Sequence, residues 1–410
     1  MKIRRLLLPV LFLLLSSVCF GESKNDRGFD FMTVLTEQDQ EMDVWYKTPP
    51  DSIPHISTVS DVTKGQRFRI ALFFSGYQLD KADKAHVSFD IKVRKPDDSV
   101  YFEQKNLNGT ERKIDQRNIL LLSETIVGIS FDPPDPWGKY TIDIAGYDAV
   151  AGKSKTQSIG ITLSPWQLGN KPGTNEEFDK WIKDYHAAPK PNEAVYAFIT
   201  HCPLTSKKGE LAAASLTIFK VIFQENPYLI DHLIAQMKTA TEEQNMKIIV
   251  MLHLLGKLDK AGIPAGLAEF KAKAATIKLP DPYGETLSGD QQDMLWAEFL
   301  ATGRIKPIRK LVTNLEYARY TGSLEGYKKS KQTDEDKLKA YKESLFLSAT
   351  WSIKSNCQQH ELVAKYCAYL YEHGDLSTEE KKWLGYVLSK VFEKDKGKDA
   401  STKEKRSDKL

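Results

Sequence analysis

The chain has 410 residues, more than one domain usually holds, and the length predicts two or three. A composition of 41% hydrophobic, 28% charged and 10% aromatic residues excludes a collagen-like, a polytopic membrane or a mostly disordered chain. The formal charge is +3, from 58 Lys and Arg against 55 Asp and Glu, too small to pull the protein toward nucleic acid.

Lys2, Arg4 and Arg5 precede an apolar run from Leu6 to Leu15, followed by Ser16 to Gly21 and then polar Glu22. That order predicts a secretory signal peptide over residues 1–21, cleaved after Gly21. The apolar run falls short of the roughly 20 residues that a membrane span needs. Cys19 follows Val18, with Ser16 three positions before it, which does not fit lipid attachment. The expected location is periplasmic or extracellular, without a lipid anchor. Removing the signal leaves 55 basic and 55 acidic residues, so no nucleic-acid or membrane partner is expected.

Residues 22–54 form an N-terminal extended segment. Phe29 to Leu35 is apolar enough to open a sheet, and Pro49, Pro50 and Pro54 keep the later stretch extended. Trp45 and Tyr46 between them are candidate binding aromatics, or packing residues on the following domain.

From 55 to 163 the apolar period is two. Arg67 to Phe74, Ala85 to Val93, Val100 to Phe102, Ile126 to Phe131, Tyr140 to Ala145 and Gln157 to Leu163 read as strands separated by turn residues. The pattern predicts an antiparallel β-sandwich. Asn108-Gly109-Thr110 matches a glycosylation acceptor, and Asn-Gly is preferred as a hairpin turn. Asp135-Pro-Trp-Gly138-Lys-Tyr140 resembles the D-x-G-x-Y element of immunoglobulin-like sandwiches, with one extra residue before the Gly. The resemblance implies an immunoglobulin-like fold, and a Tyr140 hydroxyl bonded back to the backbone.

Ser164 to Gly173 reads as a linker, and residues 174–392 as an all-α domain, an irregular array or solenoid-like. Thr174-x-x-Glu177, Thr241-x-x-Gln244 and Ser377-x-x-Glu380 are capping boxes that open helices. A helix starting at Gly289-Asp290 ends at Gly303, and another ends at Gly374. No fixed repeat period is present. Residues 325–343 read as an exposed loop entering a solvated helix, and 393–410 as a disordered charged tail.

Three cysteines follow the signal: Cys202, Cys357 and Cys367. On one straight helix the last two would lie about 15 Å apart, too far to bridge. Cys202 bridging either of them remains open, but three buried thiols acting as small hydrophobes is the preferred reading.

The candidate chemistry is sparse. His201-Cys202 could supply a thiolate, although adjacent residues rarely face each other and a helix-end histidine explains His201 as well. Cys357 and His360 would share a face of a continuous helix, which is half a metal site. His232 and His253 read as core histidines. Asp132 and Asp135 read as turn residues. Trp137 is a candidate binding platform, while Trp181, Trp296, Trp351 and Trp383 fall at helical core spacing. No metal or cofactor motif is present.

The expected function is non-catalytic: an exported two-domain protein that binds or scaffolds protein partners. One alternative is an enzyme acting on envelope peptide or glycan through acids such as Asp293, Glu298 or Glu361. Another is carbohydrate binding by the sandwich.

Overall fold

The computed structural model describes residues 28–37, 58–114, 120–167, 172–206, 209–284, 288–329 and 333–391. The expected signal peptide, Trp45, Tyr46 and the tail 393–410 lie outside the described residues.

Strands come first: β1 (Asp30–Thr36), β2 (Asp61–Val62), β3 (Arg67–Ser75), β4 (Lys84–Arg94), β5 (Val100–Lys113), β6 (Leu121–Leu122), β7 (Val127–Ser130), β8 (Gly138–Asp148) and β9 (Lys153–Leu163). β3 pairs with β1, β6 and β7 in one sheet. The other runs β2-β9-β8-β4-β5, antiparallel apart from the short β2–β9 contact. Alternation builds the core between them. Ala85, Val87, Phe89, Ile91 and Val93 of β4 are buried and their neighbours are not. They share one apolar core with Phe68, Ile70, Leu72 and Phe74 of β3. Each large side chain buried there contributes about 1.5–3 kcal/mol relative to exposure. Ala71 and Phe73, on the opposite face of β3, are also buried, with Val34 and Leu122.

Asn108-Gly109 is not a hairpin turn. Both residues lie inside β5, where the register against β4 shifts between Val87 and Ser88. A Cβ on Gly109 would sit 2.8 Å from the Val87 carbonyl oxygen and 2.9 Å from the Phe74 ring. The glycine therefore serves close approach at a bulge, a demand that a tight turn shares.

The expected backbone tether of Tyr140 is present. Its hydroxyl donates to the Pro136 carbonyl at 2.9 Å, and its ring lies 4.3 Å from that of Phe131. Burial pushes the phenol up to about 12, which keeps it a donor at physiological pH.

Helices follow: α1 (Asn175–Asp184), α2 (Pro191–His201), α3 (Ala213–Glu225), α4 (Tyr228–Gln236), α5 (Glu242–Leu254), α6 (Ala268–Ala274), α7 (Gly289–Thr302), α8 (Ile305–Val312), α9 (Ser323–Lys329), α10 (Asp334–Gln359), α11 (Glu361–His373) and α12 (378–391). The capping boxes at Thr174 and Thr241 form, with both side chains bonding reciprocally. Ser377 and Glu380 exchange the same pair of bonds at the start of α12. Gly303 ends α7 in the left-handed conformation, with φ of 66°.

Two apolar cores fill the helical region. The first gathers α1 to α6, and the second gathers α7, α8 and α10 to α12. α7 supplies both: Ala297 and Ala301 to the first, Leu295, Trp296 and Phe299 to the second. Its nearly all-round burial follows from that position. Strands and helices also meet. Trp166 stacks on His232 with ring centroids 4.1 Å apart. A Cβ on Gly65 would lie 3.1 Å from Cβ of Tyr228.

Three sequence expectations are corrected here. Cys357 and Cys367 do not share a straight helix. The chain leaves helical geometry at His360 (φ −129°, ψ 109°), so Cys357 ends α10 and Cys367 lies in α11. Residues 323–329 are helical, and Glu343 is buried beneath them. Its carboxylate accepts from the Gly322 and Leu324 amides at 2.9 and 2.6 Å, which caps α9. Trp351 is not a core residue: 71% of it is exposed. It belongs to a 26-residue helix whose apolar residues occupy several faces.

Candidate functional site

The large apolar side chains that stay exposed in the described helical region all lie on its last three helices. Leu338, Tyr341, Leu347 and Trp351 are on α10, Tyr371 on α11 and Tyr386 on α12. Each of these helices buries its other face in the second core, through Phe346, Ala349 and Ile353, Val363 and Leu370, and Leu384 and Val387. The packing that holds the helices in place therefore leaves these residues outward.

A groove of about 560 Å³ runs between α11 and α12, lined by Tyr371, Leu376, Ser377, Thr378, Lys381 and Leu388 among others. Its shape depends on a small residue. A Cβ at Gly385 would come within 2.8 Å of the Tyr371 ring, so glycine lets the tyrosine lie against α12. Arg309 of α8 fixes the turn above the groove. It donates to the Asp375 carbonyl at 2.7 Å and pairs with the buried Glu380 at 3.2 Å. The lining is mixed, with Lys381 and Lys382 beside Tyr371, Leu376 and Leu388. The Lys381 ammonium lies 5.5 Å from the centre of the Tyr371 ring, and that of Lys390 lies 5.9 Å from Tyr386. Such a surface suits a segment carrying both apolar and acidic side chains.

The residues singled out in the sequence lie elsewhere, and they are not gathered. His201 is the last residue of α2. Its ring nitrogens face the Pro172 carbonyl at 2.7 Å and Asn175 Oδ1 at 3.2 Å, and the ring stacks on Phe178. Cys202 is buried, and desolvation pushes its thiol up to about 12, so the thiolate is scarce. The thiol approaches the Pro203 and Ser215 carbonyls at 3.5 and 3.7 Å, and not His201. Trp137 is 46% exposed at the end of the sheets, with the Lys64 ammonium 4.0 Å from its ring centre. One face of that ring is thereby already occupied.

His360 marks the junction of α10 and α11 and faces His186, with ring centroids 5.0 Å apart. Both are buried. Desolvation, then the neighbouring His360, lowers His186 to about 4. Among the described residues, no cluster of three or more His, Cys, Asp or Glu side chains could hold a metal ion.

The candidate acids are likewise separate. Glu298 accepts from the Tyr283 hydroxyl at 2.7 Å. Glu361 pairs with Lys365 at 2.9 Å in solvent. Partial burial and the neighbouring Asp290 raise the carboxyl of Asp293, although its side chain keeps solvent contact.

The groove and its aromatics were missed in the sequence because apolar spacing on a helix reads as core. The available signal was an excess of apolar residues on α10 beyond one face.

Comparison with known proteins adds little. No protein-family model matches the chain, and no curated protein matches it. Among solved structures, a family 123 glycoside hydrolase from Clostridium perfringens aligns at 8% identity and a TM-score of 0.18. The alignment covers 38% of this chain and 36% of the hydrolase, and likeness at that level supports no statement about fold or activity. Among the described residues, no helix is long and apolar enough to cross a membrane.

Proposed function

We propose that the chain is an exported, non-catalytic binding protein. In this reading an immunoglobulin-like sandwich precedes a helical domain whose last three helices receive a protein partner. The observation that carries the reading is the confinement of exposed large apolar side chains to α10, α11 and α12, within the described helical region. Where such side chains adjoin, exposed apolar surface marks an interaction site. Exposed tryptophan and tyrosine are the side chains that most often anchor protein interfaces. Lys381 and Lys382 in the groove lining favour an acidic, amphipathic segment over a neutral glycan.

Support for the immunoglobulin-like assignment is local: two sheets on one core, and the Tyr140–Pro136 tether. Support for export is the order of charged, apolar and small residues over 1–21.

The test is a photo-reactive residue at position 347, in place of the exposed Leu347, in the full-length protein expressed with its signal intact. The expected result is one dominant cross-linked protein. Trp351→Ala with Tyr386→Ala should lower its capture at least tenfold, since two interface aromatics contribute about 2–4 kcal/mol together. Unchanged capture in the double variant would sink the reading. So would turnover of a peptide or glycan polymer that is lost on Asp293→Asn.

A further inference from the structure

Cys357 sits in the last turn of α10, and Cys367 midway along α11. The break at His360 lets α11 turn back, and both sulfurs enter the same core, with Ile353, Val363 and Leu370. The two thiols lie close enough that Cys357 raises the Cys367 thiol. Cys357 is 6% exposed and Cys367 fully buried. Cys202 belongs to the other helical core, where its thiol faces backbone carbonyls. The three cysteines of the described residues therefore divide into an adjoining pair and a single remote thiol.

We propose that Cys357 and Cys367 are one oxidisable dithiol, which closes to a disulfide stapling α10 to α11 and leaves Cys202 free. The inference does not depend on the partner reading.

The chemistry is thiol–disulfide exchange with an external disulfide, small or protein-borne. One cysteine loses its proton and attacks that disulfide, forming a mixed disulfide and expelling one thiolate. The second cysteine, also deprotonated, attacks the protein sulfur of the mixed disulfide and expels the other thiolate. One S–S bond forms and one breaks. Two protons leave the protein, and two electrons pass to the oxidant.

The neighbouring Cys357, and then burial, hold the Cys367 thiol well above its ordinary value. Thiolate is thus most available before this core closes. Bridging accompanies folding, and the finished bond is then shielded from reductant by the same packing.

The experiment uses the full-length protein, unfolded and reduced, then refolded in a buffer of reduced and oxidised glutathione. Remaining thiols are alkylated in denaturant, and the protein is mapped by mass spectrometry. The expected result is alkylation at Cys202, and at Cys19 where the signal is retained, with a cross-linked peptide pair carrying Cys357 and Cys367. The bridged form should melt roughly 5 °C above the reduced form, because the bond constrains the unfolded chain.

The Cys202→Ser variant, unfolded, reduced and refolded in the same buffer, supplies a second reading. It should end with Cys357 and Cys367 both protected from alkylation. Alkylation of both in that variant, or a bridge through Cys202 in the refolded protein, would overturn the proposal.

Discussion

His186 and Glu37 set opposite pH dependences in one window. His186 is neutral in the fold, its value lowered to about 4 chiefly by desolvation. In the unfolded chain it titrates near 6.5 and binds protons first. Its contribution is therefore complete above about pH 6.5 and is lost as pH falls toward 4, by at most about 3 kcal/mol. Burial raises Glu37 to about 7, and its side chain accepts from Gln66. That group favours the fold below its unfolded value, and its contribution is lost as pH rises through 7. The wild-type stability curve between pH 4 and 7 should accordingly be shallow. Urea titrations at several pH values should find that His186→Leu removes the rising limb, and that Glu37→Gln removes the falling one. A variant curve parallel to wild type would contradict the corresponding assignment.

Tyr140 offers a cleaner residue-level test. Tyr140→Phe keeps the ring on Phe131 and deletes the bond to Pro136. The expected cost is about 1 kcal/mol, read as a lower urea midpoint at unchanged slope. This tether was legible from a single tyrosine after a glycine, because its partner lies four residues away. The role of Gly109 was not. Tight turns and bulges both call for glycine, and only the opposing Val87 and Phe74 distinguish them.

Element boundaries were most legible where a local capping pattern fixes them. Thr174, Thr241 and Ser377 announce their helices through bonds spanning three residues. The division at His360 has no such mark: neither glycine nor proline stands there, and Gln359 and Glu361 are ordinary helix formers. Folding α11 back requires packing partners distant in sequence, so the meeting of Cys357 with Cys367 could not be read from their spacing. The cap on α9 is also non-local, since Glu343 reaches back from α10 to Gly322 and Leu324. Glu343→Ala should leave two amides without their acceptor and cost about 1–3 kcal/mol. Hydrogen exchange should speed up across 323–329 and hold steady in α7. Equal protection in variant and wild type would show that water caps the helix as well.

The chain's change from strands to helices was plain in its periodicity, but the contacts joining the two parts were not. Trp166, in the linker, stacks on His232 of α4 and engages the helices directly. Trp166→Ala should loosen that attachment and turn a single calorimetric transition into two. One unchanged transition would mean that the Gly65–Tyr228 contact suffices. The proposed partner surface is a property of this larger scale. Leu347, Trp351, Tyr371 and Tyr386 come from three helices, and only the arrangement of those helices decides which of their apolar residues remain outside.

The double use of α7 governs the order in which the chain can mature. A polypeptide leaving a ribosome or crossing a translocon is delivered from its N-terminus. The strands, complete by Leu163, can close on themselves early. The first helical core cannot, because Ala297 and Ala301 form part of its wall and emerge more than a hundred residues after α1 begins. Until Gly289–Thr302 arrives, that half stays open to chaperones and proteases. A fragment ending before α7 should emerge as a folded β-part followed by a cleavable tail.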